Sequence, residues 1–130
     1  MQILAEISPG ELFDKITILE IKAKKISEGR KRTNVEKELR ILTEIRHRNI
    51  DISIELAPLI EELKTVNEKL WTIEDDIRDC ERRKDFDQAF VELARSVYLS
   101  NDRRAGIKKK INELLNSNLF EEKSYQAYSS

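Results

Sequence analysis

From Leu63 the apolar residues fall at Leu63, Val66, Leu70, Ile73, Ile77 and Cys80, in steps of three, four, three, four and three. That alternation is the a/d seam of a helix pressed against another helix. The remainder of the chain reads as partners for this seam. A second stripe begins at Phe86 and continues through Phe90, Leu93 and Val97, then Ser100 and Arg104, then Ile107, Ile111 and Leu114. Between them lies a short turn at Lys84-Asp85, with Asp85 and Gln88 spaced as a capping box for a helix starting at Phe86. A turn this short makes the two helices antiparallel neighbours.

Upstream, Ser8-Pro9-Gly10-Glu11 marks a helix start. Ser8 is the N-cap, Pro9 takes the first helical position, and Glu11 is spaced to reach back to the Ser8 N–H. Ile7 and Leu12 stand where a hydrophobic staple would. Leu12, Ile16, Leu19, Ala23 and Ile26 form one stripe, and the helix is predicted to run to about Glu28 and stop at Gly29. Phe13, Ile18 and Ile21 widen its apolar surface, which predicts more than one neighbour and favours a homo-oligomer. Arg30-Lys31-Arg32 reads as a turn, and Thr33 or Asn34 as the cap of a helix carrying Val35, Leu39, Leu42 and Ile45. Pro58 predicts a break between Ile50 and itself. Met1 to Ile7 alternates as a short extended segment. The tail residues Leu119, Phe120, Tyr125 and Tyr128 predict packing back onto the helices. The expected architecture is all-α, an antiparallel bundle of three or four long helices in one domain over 1–130.

Composition narrows the function. Charged residues make up 38% of the 130 and apolar ones 39%, with 3 Gly and 2 Pro, a balance that suits exposed helices. With 24 basic and 25 acidic residues interleaved, no basic face is wide enough to predict nucleic acid as a partner. No apolar run approaches the ~20 residues that span a bilayer, so no membrane partner is expected. Met1 to Ile7 lacks the basic and long apolar regions of a secretory signal, and a cytoplasmic location is expected. Cys80 sits in the seam as a small hydrophobe. His47, between Arg46 and Arg48, reads as a solvated surface residue. Glu74-Asp75-Asp76 with Asp79 has the donors for Mg²⁺ but reads as solvated helix charge. Neither metal nor cofactor is expected, because phosphate loops, nucleophile elbows and Cys/His ligand sets are missing.

The candidate chemistry lies where the seam turns polar. Aligning the two antiparallel stripes sets Cys80 opposite Phe90, Ile77 opposite Leu93, Ile73 opposite Val97, Leu70 opposite Ser100 and Val66 opposite Arg104. A guanidinium in an apolar seam must find an acid or reach water. Around it stand Trp71, Glu74 and Arg78 on one helix and Arg95 and Asn101 on the other, with Lys15 and Lys22 on the first helix. In the functional reading Arg104 and Arg95 hold an anion, Glu74 orients Arg95, and Trp71 forms an apolar wall. The competing reading is an interhelical salt-bridge network that only sets register.

The segments ISPGELFDKITILEIK from Ile7, LWTIEDDIRDCE from Leu70 and FVELARSVYLSNDRRAGIKKKIN from Phe90, with EEKSY near the end, resemble a family of bacterial and phage proteins of unknown function. The resemblance covers Ile7 to Tyr128 and implies one intact domain. It also implies an association with glycosyltransferase and surface-polysaccharide genes. Looser likenesses to all-helical chorismate mutases, and to nucleotide pyrophosphohydrolases whose pattern wants an acid where Arg95 stands, transfer no residue. The expected function is a non-enzymatic binding or scaffold domain holding an anionic small molecule between helices. The alternative is a small helical enzyme acting on a nucleotide-sugar or a carboxylate.

Overall fold

A computed structural model describes residues 1–128. The protein is all-α, with four helices: α1 (Pro9–Lys25), α2 (Gly29–Asn49), α3 (Leu56–Arg83) and α4 (Gln88–Leu114). Helices α3 and α4 make the most extensive pair, and α1 packs against both. Helix α2 packs on α1 alone and buries no residue fully. The body is therefore a three-helix bundle of α1, α3 and α4, with α2 laid along its outside. No helix is long and apolar enough to cross a membrane among the described residues.

The core is built from Phe13 of α1, Leu56, Leu63 and Val66 of α3, and Ile107 and Ile111 of α4. Ile50, Leu59, Ile60 and Leu115 cover its edge. Apolar area leaving water contributes roughly 25 cal/mol per Å², and these residues, each at most 4% exposed, are where that contribution concentrates. Further along the α3–α4 seam Leu70, Ile73, Cys80 and Ser100 are buried. At Arg104 the register lies within one residue of the prediction: its guanidinium meets Asn67, next to Val66.

Helix α3 starts at Leu56, with Pro58 in its first turn where a missing donor costs little. The Ser53 hydroxyl accepts from the Leu56 N–H at 3.1 Å. At the other end Lys84 adopts a left-handed conformation (φ 54°), which lets its N–H and that of Asp85 cover the carbonyls of Glu81 and Cys80.

Several boundaries differ from the expectation. Helix α1 ends at Lys25, and Gly29 opens α2, so Arg30 to Arg32 lie inside a helix. Arg32 reaches Glu36 one turn on, at 2.8 Å, and that i,i+4 pairing favours helix over turn. Helix α4 starts at Gln88, and the Asp85 carboxylate accepts from the Asp87 N–H at 3.3 Å. Asp85 thus folds the turn and leaves the helix uncapped by a side chain. Only half of the first capping box forms: the Ser8 hydroxyl accepts from the Glu11 N–H at 3.2 Å, while the Glu11 carboxylate goes to Lys108. Met1 to Ile7 is non-helical and exposed. The wide apolar face of α1 is covered within the chain, since Phe13 and Ile21 are buried. The tail lies beside α4 with its side chains largely exposed, and Tyr128 meets Tyr98 with ring centroids 5.5 Å apart.

Candidate functional site

The site begins with one close approach. The Gly10 N–H donates to the Asn112 side-chain oxygen at 2.7 Å. A Cβ at Gly10 would lie 2.6 Å from the Lys108 carbonyl oxygen, so only glycine lets α1 come this near α4. That contact presents Glu11 and Asp14, one turn apart on α1, to Lys108. The Lys108 ammonium lies 2.9 Å from Glu11 and 3.7 Å from Asp14. From α3, the Asn67 amide donates to the Asp14 carboxylate at 2.9 Å and to the Thr17 hydroxyl at 3.0 Å. Thr17 in turn donates to backbone carbonyls of its own helix at 2.9 Å. Arg104 closes the network by donating to the Asn67 oxygen at 3.4 Å.

Asp14, Thr17, Asn67, Lys108 and Asn112 are all buried, and among the described residues no buried side-chain polar atom lacks a partner. A polar network with every member satisfied holds three helices in one register, because a slip strands its charges. Hydrogen bonding from Lys108, with the charges of Lys108, Lys15 and Arg104 adding to it, holds the Glu11 carboxyl below its ordinary pKa against the opposing effect of burial. A carboxyl lowered on folding contributes stability above its unfolded pKa and loses it as pH falls through the folded value. Wild type and Glu11→Gln should therefore differ most at neutral pH. Urea titrations should show the difference closing through the acid range, and a gap independent of pH would refute the pairing.

Outside this network, α4 and the tail enclose a cleft of about 720 Å³. Its walls include Tyr98, Asn101, Asp102, Arg104, Lys108 and Glu121, and the tail adds Lys123, Tyr125 and Tyr128. A smaller hollow of about 270 Å³ lies beside it, near Ser8, Glu11 and Phe120, and shares Lys108, Glu121 and Lys123 with the first. Glu121 lies 4.0 Å from Lys108 and 3.2 Å from Lys123. The Lys123 ammonium sits 5.6 Å from the centre of the Tyr125 ring.

Of the eight residues expected at a site, Asn101 and Arg104 line this cleft. The other six line neither hollow. Lys15 stands outside the network, 3.9 Å from Glu11. Lys22 and Trp71 are half-buried on α1 and α3. Glu74 pairs with Arg78 at 2.7 Å, and Arg95 with Glu92 at 3.4 Å, each within its own helix. The expected Glu74–Arg95 pair across the hairpin does not form, because a partner one turn away is met without closing the interhelical gap. The Asp79 carboxylate of the acidic run pairs with Arg83, and no group of three potential ligands is placed to hold a metal ion among the described residues.

Sequence reasoning missed Asn67, Lys108, Asn112 and Thr17. The signal was present: Ser100, Arg104, Lys108 and Asn112 recur every four residues, a polar stripe beside the apolar one. Gly10, Asp14 and Thr17 on α1 have the matching spacing.

No curated protein and no solved structure matches the chain. The family model, in contrast, spans nearly all of it: residues 3–130 match, and the chain belongs to DUF6165, a family of unknown function.

Proposed function

We propose that this protein is a non-enzymatic binding domain that holds a small anionic ligand in the cleft between α4 and the tail. Arg104 carries the reading. Its side chain is half-buried at the cleft wall, its protein hydrogen bond is to a neutral amide, and no carboxylate lies within salt-bridge distance among the described residues. A guanidinium withdrawn from water without an acid is favourable to an incoming phosphate or carboxylate, which its planar fork can grip through two oxygens. The cleft volume falls in the range of small-molecule sites.

Thermal shift and calorimetry with inorganic phosphate, nucleoside diphosphates and nucleotide-sugars test the reading, since a ligand of the folded state raises its stability by mass action. The last of these probes follow from the association with surface-polysaccharide genes that the resemblance implies. Arg104→Met should cost about 1–2 kcal/mol of stability, because the buried Asn67 oxygen loses its donor. It should weaken binding by roughly ten- to a hundredfold, the worth of a charge-assisted hydrogen bond. Silence of the wild type across the panel would remove the proposal.

A further inference from the structure

The cleft holds a second charge without an ion-pair partner, the Asp102 carboxylate, whose protein contact is a hydrogen bond from the neutral Tyr128 hydroxyl. Asp102 is two residues from Arg104 on the same helix and lines the same cleft, and no basic group lies within salt-bridge distance of it among the described residues. Arg104 and Asp102 do not pair with each other. Around Asp102 stand Tyr98 and Tyr128, their ring centroids 5.5 Å apart with the planes tilted by 60°, and the tail adds Tyr125. Aromatic faces beside a carboxylate attract cations, and ammonium groups above all. The tail itself displays the chemistry, for the Lys123 ammonium already lies over the Tyr125 ring. The tail also supplies the anionic counterpart, Glu121 beside Lys108.

We infer that the ligand is a zwitterion, with its anionic group on Arg104 and an ammonium group between Asp102 and the tyrosines. This rests on the anion-binding reading above and adds a cation subsite to it. The rise along α4 from Asp102 to Arg104 is only about 3 Å, so the two charges suit a molecule whose own charges are separated by a few bonds. A purely anionic ligand would leave Asp102 facing it unbalanced, and a purely cationic one would do the same to Arg104.

Calorimetry on the full chain with three probes tests this: inorganic phosphate, choline and phosphocholine. Phosphocholine should bind at least tenfold more tightly than phosphate, and choline alone weakly. Asp102→Asn should erase the advantage of phosphocholine over phosphate and leave phosphate binding at least as strong, since a like charge beside the anion is removed. Arg104→Met should weaken both phosphate-bearing probes. Equal affinity for phosphate and phosphocholine would overturn the inference and leave the anion site standing. Failure of phosphate and phosphocholine alike would overturn both. Sedimentation with phosphatidylcholine vesicles tells a lipid headgroup from a free zwitterion, and either source satisfies the inference. Asp102 is exposed and outside the buried network, so Asp102→Asn should fold, and an unchanged unfolding midpoint checks that it has.

Discussion

Gly10→Ala should destabilise the protein by about 2 kcal/mol, in the range for overpacking a close contact. The new Cβ would lie 2.6 Å from a backbone oxygen of α4 and 2.9 Å from the Asn112 side-chain oxygen. A side chain can rotate away, but the Lys108 carbonyl is held inside a helix. Helix α1 must then back off, stretching the Gly10–Asn112 hydrogen bond and the Glu11–Lys108 pair together. Helix propensity works in the opposite direction, because alanine is the better helix former by up to about 1 kcal/mol. Steric conflict wins here because the Lys108 carbonyl cannot move, and rotating Asn112 away gives up its hydrogen bond to Gly10. Gly106→Ala is the control. Nothing lies within 4 Å of a Cβ there, in the middle of α4, so it should gain about 0.5–1 kcal/mol. Urea denaturation of the two variants should move the midpoint in opposite directions. A neutral Gly10→Ala would mean that α1 and α4 do not touch at this point.

Lys108→Met should cost more, about 3–5 kcal/mol, the range for removing one partner of a buried ion pair. Asp14 is 5% exposed and Glu11 lies one turn from it. Without the ammonium, the buried Asp14 carboxylate faces the half-buried Glu11 carboxylate with no cation between them, and Arg104 is too far to form a salt bridge with either. Methionine keeps the apolar stem, so lost packing contributes little. Charge is therefore the cause, and two checks follow. Adding Asp14→Asn should recover part of the loss, because the amide keeps the hydrogen bond from Asn67 without the charge. The penalty should also fade in acid, where carboxylates are neutral. A loss that ignores both pH and Asp14→Asn would point to packing instead.

These two residues also show how far the sequence could be read. The α3–α4 hairpin was legible because its apolar residues keep strict seam spacing from Leu63 to Cys80, and the short turn leaves a single register. Pro58 and Ser8 each act within one turn, so their local chemistry decided the outcome. Gly29 misled because a glycine stops helices and also starts them, and the i,i+4 pairing of Arg32 with Glu36 settled the matter. The polar network was harder to see. Asn67 and Lys108 sit beside apolar seam residues, not in place of them, so a hydrophobic period passes over them. Their partners lie on α1, at a sequence separation of 53 for Asn67–Asp14, and Asn112 is 102 residues from Gly10. The structure also moves the centre of organisation: α1, touching all three other helices, unites the fold that α3 was expected to organise. Arg104 was legible as the odd residue in its stripe. The return of the tail to the helices was legible from Leu119, Phe120, Tyr125 and Tyr128, but the cleft it forms with Arg104 was not, because an irregular segment carries no period that fixes its register.

Helix α2 rests on one neighbour with only half-covered side chains, so little apolar surface is exposed when it detaches. Few long-range contacts elsewhere depend on it. The chain therefore holds two tiers of cooperativity: a triple-helix nucleus that melts as a unit, and an outrigger that opens on its own at a lower free energy. Substitutions that shorten or repolarise α2 then affect only that upper tier, leaving the nucleus, and the cleft beside α4, in place.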